Sequence, residues 1–239
     1  MKKSISILIL AIASFSAFQA HSQDILGTVM KKVTGGGGDL DVSAGLKEAL
    51  NQGISAGADA LSKQGGYLNS PYKILLPEEA RNVVSKLKMV PGFGNVEADM
   101  IKKMNAAAED AAIKAKPIFL DAITKMNFSD AMNILMGEKN AATTYLKSKT
   151  FDQLYAAFSP IVINSLDQVG ARKYWAEAAG ANNRLPFVKK ANPSLDDYVT
   201  KEALKGLFSM IEVKEKSIRS DQGARTSDLL KSVFAKQDK

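Results

Sequence analysis

Apolar residues recur at intervals of three and four along most of this chain, and this spacing is the strongest constraint on its fold. Such intervals place side chains on one face of an α-helix, whereas a half-buried strand would need strict alternation. One stripe comprises Val42, Leu46, Ala49, Leu50, Ile54, Ala58 and Leu61, and another comprises Phe151, Leu154, Tyr155, Phe158, Ile161, Val162, Leu166 and Val169. The spacing therefore predicts an all-α fold.

Glycine and proline divide this pattern into several short and medium helices. Gly65–Gly66 and Pro91–Gly92 are typical of helix ends, and Pro77 is typical of a helix start. Pro160 lies within an apolar stripe, where it removes a backbone hydrogen bond, so we expect a kinked or broken helix there. We find no repeat of fixed period and no pair of strands, and we predict a single multi-helix domain over residues 41–236.

Residues 1–22 have the features of a cleaved signal peptide. Lys2–Lys3 precede a mostly apolar run from Ile5 to Phe18, and small residues in Ala20-His21-Ser22 suit a cleavage site. An uncleaved membrane anchor is the alternative, but a spanning helix needs about 20 apolar residues. No cysteine follows the run. We therefore expect an exported, periplasmic protein that is not a lipoprotein and has no transmembrane segment after cleavage.

Residues 23–40 are predicted to form a flexible segment before the folded domain. Gly35 to Gly38 are four consecutive glycines, whose backbone entropy opposes regular structure. A phosphate-binding loop would need a following Gly-Lys-Ser/Thr, which is absent. The glycine run is therefore interpreted as a tether.

The residues that remain after cleavage exclude several classes of chemistry. The chain has no cysteine, and its one histidine, His21, lies in the predicted signal peptide. Cysteine nucleophiles, Ser-His-Asp triads and the usual zinc, haem and copper ligands are then missing. We predict no catalytic residue, no metal and no cofactor, although a hydrolase that uses only Ser, Lys, Asp or Glu stays open.

The charge of the chain indicates its class of partner only broadly. The net charge is +7, and it falls to +5 when Lys2 and Lys3 leave with the signal. Lysines alternate with acids, and no concentrated basic block favours nucleic acid. We expect no nucleic-acid partner and instead an unidentified envelope component, either protein or lipid.

Two weak catalytic patterns have simpler interpretations. Ser70 and Lys73 have the Ser-x-x-Lys spacing of penicillin-interacting enzymes, but the accompanying motifs are absent and Pro71 favours a turn. The acid pairs Glu78–Glu79, Glu109–Asp110 and Asp196–Asp197 are adjacent on helices, so their side chains diverge by about 100°. Helix capping and solvent exposure are the favoured interpretations of these pairs.

The candidate binding residues are Tyr67, Asn69, Tyr72 and Trp175. The first three lie in the loop from Gly66 to Leu76, and tyrosine combines apolar area with a polar tip that suits recognition. Alternatively, the loop folds back and its tyrosines fill the core. Trp175, the one tryptophan, is interpreted as a core anchor more readily than as a binding residue.

Several longer motifs resemble a family of exported bacterial proteins known as domain of unknown function 4197. The matching segments are Ser43 to Leu50, Gly66 to Asn69, Leu75 to Pro77, Ala106 to Pro117, Ala141 to Leu146, Leu195 to Thr200, Gly206 to Phe208 and Ser227 to Lys231. The resemblance covers about Asp41 to Phe234. It implies export and a helical fold, and it assigns no catalytic residue.

Three functions remain open at the level of sequence. The first is a non-enzymatic helical protein that binds an envelope component, the second a carrier of an apolar small molecule or lipid, and the third a hydrolase. A buried cavity of several hundred Å³ would favour the carrier. Converging carboxylates or a Ser–Lys contact would favour the enzyme, and a packed interior with an exposed apolar patch would favour partner binding.

Export gives the first testable prediction. Intact-mass analysis of the protein from its native host should show a chain that begins near Gln23, because cleavage after Ser22 fits the small residues there. Recovery of the full-length chain from the cytosol would contradict the prediction.

Overall fold

The computed structural model describes residues 38–80, 84, 94–184, 186–187, 189–225 and 227–235. The predicted signal peptide and residues 23–37 of the predicted tether lie outside the described residues. Eight α-helices and no strand are found in the described part, which confirms the all-α, single-domain prediction. None of the described helices is long and apolar enough to cross a membrane.

The helices follow the predicted apolar stripes closely. They are α1 (Gly38–Leu61), α2 (Val96–Ala112), α3 (Ala115–Thr124), α4 (Phe128–Met136), α5 (Ala141–Asp167), α6 (Ala171–Arg184), α7 (Leu195–Ser220) and α8 (Asp228–Phe234), with a 3-10 turn at Gln222–Ala224 before α8. Helix α1 begins within the glycine run at Gly38, three residues before the predicted domain start. Ser227 caps the last helix, since its side chain accepts from the Leu230 N–H.

Helix α5 lies at the centre of the domain and packs against α2, α3, α4, α6 and α7. Apart from Thr143, its buried residues recur every four positions, namely at Ala142, Leu146, Thr150, Leu154, Phe158, Val162 and Leu166. Four residues turn an α-helix by about 400°, so this stripe advances about 40° at each step. The buried face therefore winds around the helix and meets different neighbours along its length.

We predicted a kinked or broken helix at Pro160; the break is absent, because α5 continues through this residue, and the kink stays a prediction. A proline at this position leaves the carbonyl of Ala156 without its helical donor. Both Pro160 and Ala156 are exposed, so water can bond to that carbonyl. The lost hydrogen bond lies on the solvent side of the helix and does not interrupt the core.

Two sequence patterns typical of helix caps, the capping-box spacing of Thr150 and Gln153 and the serine at position 129, do not cap a helix. Thr150 and Gln153 do not form a capping box, because Thr150 lies inside α5 and its hydroxyl donates to the Leu146 carbonyl at 2.7 Å. Ser129 does not cap α4; Asn127 does, in a reciprocal capping box with Asp130. Ser, Thr and Asn cap helices through the same short-range chemistry, so neighbouring candidates compete.

A buried ion pair on α7 satisfies the ends of two other helices. The Glu215 carboxylate accepts from the Ala142 and Thr143 N–H groups at 2.9 and 2.8 Å, at the start of α5. Arg219, one turn later, bonds Glu215 at 2.9 Å and donates to the Ile134 carbonyl at 2.7 Å, at the end of α4. The helix dipole favours a negative charge at a helix N-terminus and a positive charge at a helix C-terminus, so both contacts are stabilising. The pair therefore joins α4, α5 and α7.

The C-terminal helix is attached beside this pair. Arg225 is buried, and its guanidinium donates to the Ile218 and Arg219 carbonyls at 3.0 and 3.2 Å, at the end of α7. The guanidinium carbons of Arg219 and Arg225 lie 5.7 and 5.8 Å from the centroid of the Phe234 ring. Phe234 is thus held by two cation–π contacts as well as by burial.

The buried pair predicts unequal effects for two similar substitutions on α7. The Glu215 and Arg219 side chains are 6% and 7% exposed, whereas those of the ion pair Glu212–Lys216 are 33% and 51% exposed. Glu215→Ala should lower the free energy of unfolding by about 3–5 kcal/mol, because it leaves a buried cation and helix-end donors unpaired. Glu212→Ala should cost less than about 1 kcal/mol.

Denaturant unfolding followed by circular dichroism measures both effects. Equal losses in the two variants would show that the buried pair contributes no more to stability than the exposed one.

Candidate functional site

The segment of residues 65–76, which we call the Tyr67 loop, is fixed to α2 by a buried carboxylate. Gly65 has φ +79°, a left-handed conformation that suits glycine, and it turns the chain after α1. The Glu109 side chain then accepts from the N–H groups of Gly65, Tyr67 and Leu68 at 3.0, 3.1 and 3.2 Å. Glu109 is therefore a structural anchor, and its interpretation as a solvent-exposed acid was wrong.

A second side chain of α2 holds the other end of this loop. Asn105 is fully buried; its carbonyl oxygen accepts from the Ile74 N–H, and its amide donates to the Ile74 carbonyl, both at 2.8 Å. The same amide donates to the Ile101 carbonyl at 2.7 Å. An asparagine side chain can replace a neighbouring backbone segment in this way. The Tyr67 loop is thus held at both ends by α2.

The two tyrosines of this loop pack on one glycine of α7. Tyr67 is fully buried, and its hydroxyl donates to the Ala203 carbonyl at 2.8 Å. A Cβ at Gly206 would lie 3.0 Å from the Tyr67 ring and 3.1 Å from the Tyr72 Cβ, so the contact depends on glycine. Burial raises the pKa of the Tyr67 phenol well above its usual value, with the nearby Glu109 charge acting in the same direction. Tyr67 fills the core, and Tyr72 is half-buried.

Of the three candidate binding residues in this loop, Asn69 is the exposed one. It lines an open groove of about 650 Å³. The groove lies between the loop and the start of α2, and Lys73, Glu97 and Lys102 also line it. Its charged lining suits a polar ligand better than an apolar one. The binding roles of Asn69 and Tyr72 stay predictions.

A second clamped loop lies at residues 184–193, of which the structure describes all but residues 185 and 188; we call it the Phe187 loop. The Asn183 side chain accepts from the Ala191 N–H at 2.7 Å and donates to the Ala191 carbonyl at 2.8 Å. The Asn182 amide donates to the Lys189 carbonyl at 3.1 Å. The loop therefore returns along the end of α6.

Trp175 supports the base of the Phe187 loop. It is buried at 3% exposure, and its indole N–H donates to the Asn192 carbonyl at 2.9 Å. This placement fits the core-anchor interpretation, and a binding role for Trp175 stays a prediction. Trp175 is not part of the same cluster as Tyr67, Asn69 and Tyr72. Its indole N–H bonds to the Phe187 loop, whereas those three residues belong to the Tyr67 loop.

The feature that sequence reasoning missed is Phe187. Its side chain is fully exposed, and its backbone has φ +59°, which is unusual for a residue other than glycine. Such conformations cost about 1–3 kcal/mol and occur often at functional sites. Residues 182–193 are mostly polar, and the one signal in the sequence is a phenylalanine between Arg184 and Lys189.

The two loops are neighbours on one face of the domain. The Lys189 ammonium lies 2.8 Å from the Glu79 carboxylate and 3.6 Å from that of Glu78, which follow the Tyr67 loop. Tyr198, in the first turn of α7, donates its hydroxyl to the Leu75 carbonyl at 2.9 Å. Leu75 is 46% exposed. We call this surface, formed by the Tyr67 loop and the Phe187 loop, the two-loop face.

The interior offers little space for a ligand. An apolar cavity of about 30 Å³ lies between α1, α7 and α8, lined by residues that include Leu50, Ile54, Ile211 and Phe234. A water molecule needs a cavity of about 10–15 Å³, so this one has room for one or two waters. This volume is far below the several hundred Å³ that the cavity of a carrier would need.

Three of the side chains considered for a hydrolase, Ser70, Asp196 and Asp197, have structural partners. The Ser70 hydroxyl donates to the Tyr67 carbonyl at 3.0 Å and accepts from the Tyr72 N–H at 3.2 Å, which is turn chemistry. Tyr155 bonds Asp197 at 2.7 Å, and this hydrogen bond raises the pKa of Tyr155 to about 12. Asp196 bonds Arg172 at 3.0 Å. Among the described residues, no cluster of three His, Cys, Asp or Glu side chains could hold a metal ion.

The Glu109 anchor gives a prediction with a neighbouring control. Glu109→Ala should lower the free energy of unfolding by at least about 2 kcal/mol, because three loop N–H donors lose their acceptor. Asp110→Ala should change it by less than about 0.5 kcal/mol, since Asp110 is exposed.

Hydrogen exchange provides a local measurement of the same change. The Gly65, Tyr67 and Leu68 amides should exchange faster in Glu109→Ala alone. Unchanged exchange at all three amides would show that the carboxylate does not hold the loop.

The comparisons with known proteins identify the family. A family model described as "Protein of unknown function (DUF4197)" matches residues 37–235, which is most of the chain. No curated protein and no solved structure matches. Because the match covers the whole described domain, including both clamped loops, the chain belongs to the DUF4197 family of proteins of unknown function.

Proposed function

We propose that this protein is an exported, non-enzymatic binding protein of the cell envelope that contacts its partner through the two-loop face. The observation that supports this most strongly is Phe187, a fully exposed aromatic side chain with a left-handed backbone on a clamped loop. An exposed aromatic ring is costly in water, and a partner would remove that cost. Export is expected from the signal-like residues 1–22.

The interior and the polar groups favour binding over the two alternatives. A carrier needs a cavity of ligand size, whereas the apolar cavity here is about 30 Å³. A hydrolase needs groups free to act on a substrate, whereas Glu109 and Glu215 each accept from the backbone of another element. The surface is therefore the part of the described molecule that is available for recognition.

Clamping gives the two-loop face a further advantage for binding. Glu109, Asn105 and Asn183 fix the backbone of its loops in advance. A loop that is already ordered loses less conformational entropy when it binds. Exposed side chains on such loops can therefore contribute to affinity without first organising the chain.

Site-specific photocrosslinking in the native host tests this proposal. A benzoylphenylalanine at position 187 should give crosslinked products with an envelope component, either protein or lipid, when cells are irradiated. The same group at Val213, which is 57% exposed on α7, should not give those products. Products shared by both positions, or none at 187, would contradict the proposal.

A further inference from the structure

We infer that the Phe187 loop docks on an anionic lipid surface, with the Phe187 ring entering the interface and the flanking cations meeting lipid phosphates. This inference rests on the proposed function and names the partner of the same face. It concerns reversible contact with the surface of a bilayer.

The first argument is the charge around the aromatic ring. Arg184, Lys189 and Lys190 flank Phe187, and no acidic residue occurs between Glu177 and Asp196. The chain as a whole shows no basic block, but residues 184–190 carry three cations and one exposed ring. Lys189 and Lys190 are exposed, as is Arg184 at the end of α6, and the Lys190 ammonium also donates to the Asn183 carbonyl.

The second argument is that the ring is presented by a fixed backbone. Phe187 has φ +59°. The Asn182 side chain bonds to the Lys189 backbone and the Asn183 side chain to the Ala191 backbone, and these bonds hold the part of the loop that follows Phe187. Pro186, which is also exposed, restricts its own φ to about −65°. An exposed apolar side chain on a bonded loop can enter a bilayer interface without rearrangement.

The third argument distinguishes a lipid surface from a protein pocket. An aromatic anchor in a protein interface is usually surrounded by contacts that exclude water, and lysine is depleted from such interface centres. Here the described neighbours of Phe187 along the chain are Pro186 and Lys189, both exposed. At an anionic membrane the same arrangement is favourable, because basic side chains keep their charged ends among the headgroups.

The acidic groups facing the loop determine how strong this docking is. Lys189 contacts Glu79 and Glu78, and the Glu78 side chain is 79% exposed. These carboxylates reduce the attraction to anionic lipid, so the docking is weak and depends on lipid charge. Removing one of these carboxylates should therefore strengthen binding to anionic lipid. A purely structural role of the loop would not predict stronger binding.

Vesicle sedimentation tests the inference. The protein is purified from its native host, and its N-terminus is determined by mass spectrometry. Vesicles of 30% phosphatidylglycerol in phosphatidylcholine should bind the protein at least about tenfold more strongly than pure phosphatidylcholine. Phe187→Ala should weaken binding to the anionic vesicles about tenfold or more. Arg184→Gln should weaken it about fivefold, and Glu78→Gln should strengthen it. Val213→Ala is the matched control and should have no effect.

The outcomes separate this inference from the proposed function. Each variant should keep the melting temperature of the parent, because the altered side chains are exposed. Absence of binding to anionic vesicles, or equal binding by Phe187→Ala and the parent, would overturn the lipid inference. If position 187 nevertheless crosslinks to an envelope protein, the proposed function stands with a protein partner. If position 187 gives no specific crosslink either, both fail.

Discussion

The Glu215–Arg219 pair is the interaction on which the arrangement of this domain depends most. The two residues lie one turn apart on α7, and their polar atoms bond to the start of α5 and the end of α4. Two buried charges would be unfavourable alone, and they are stable here because helix-end groups satisfy their remaining atoms. In a chain without disulfides, this pair sets the relative positions of three helices at one point.

The same physical device recurs where the chain is not helical. Glu109, Asn105 and Asn183 each replace a missing backbone partner of a loop with a side chain from a helix. Buried backbone groups must be bonded, and loops cannot bond all of theirs internally. The result is a helical scaffold that bonds the described backbone of two loops at named points, and such bonds make the exposed residues of these loops suitable for recognition.

Much of the helical framework could be predicted from local patterns. The stripe from Leu46 to Leu61 and the start of α8 at Ser227 follow from spacing and capping rules that act within a few residues. Glu109 and Glu215 could not be placed in the same way, because their bonded partners lie about 41 to 73 positions away along the chain. A charged residue in a helical pattern is usually exposed, and only the tertiary fold reveals the exception.

The aromatic residues show why the candidate site was only partly predictable. Tyr67 and Trp175 were identified by residue type, but both side chains are buried and each bonds a backbone carbonyl, of Ala203 and of Asn192. Phe187 has an equally apolar ring and is fully exposed, because a left-handed backbone turns it outward on a loop fixed by Asn183. Composition cannot distinguish an aromatic ring that fills the core from one displayed at the surface. That distinction depends on which loop backbone is bonded to a helix, and therefore on contacts that form only in the folded domain.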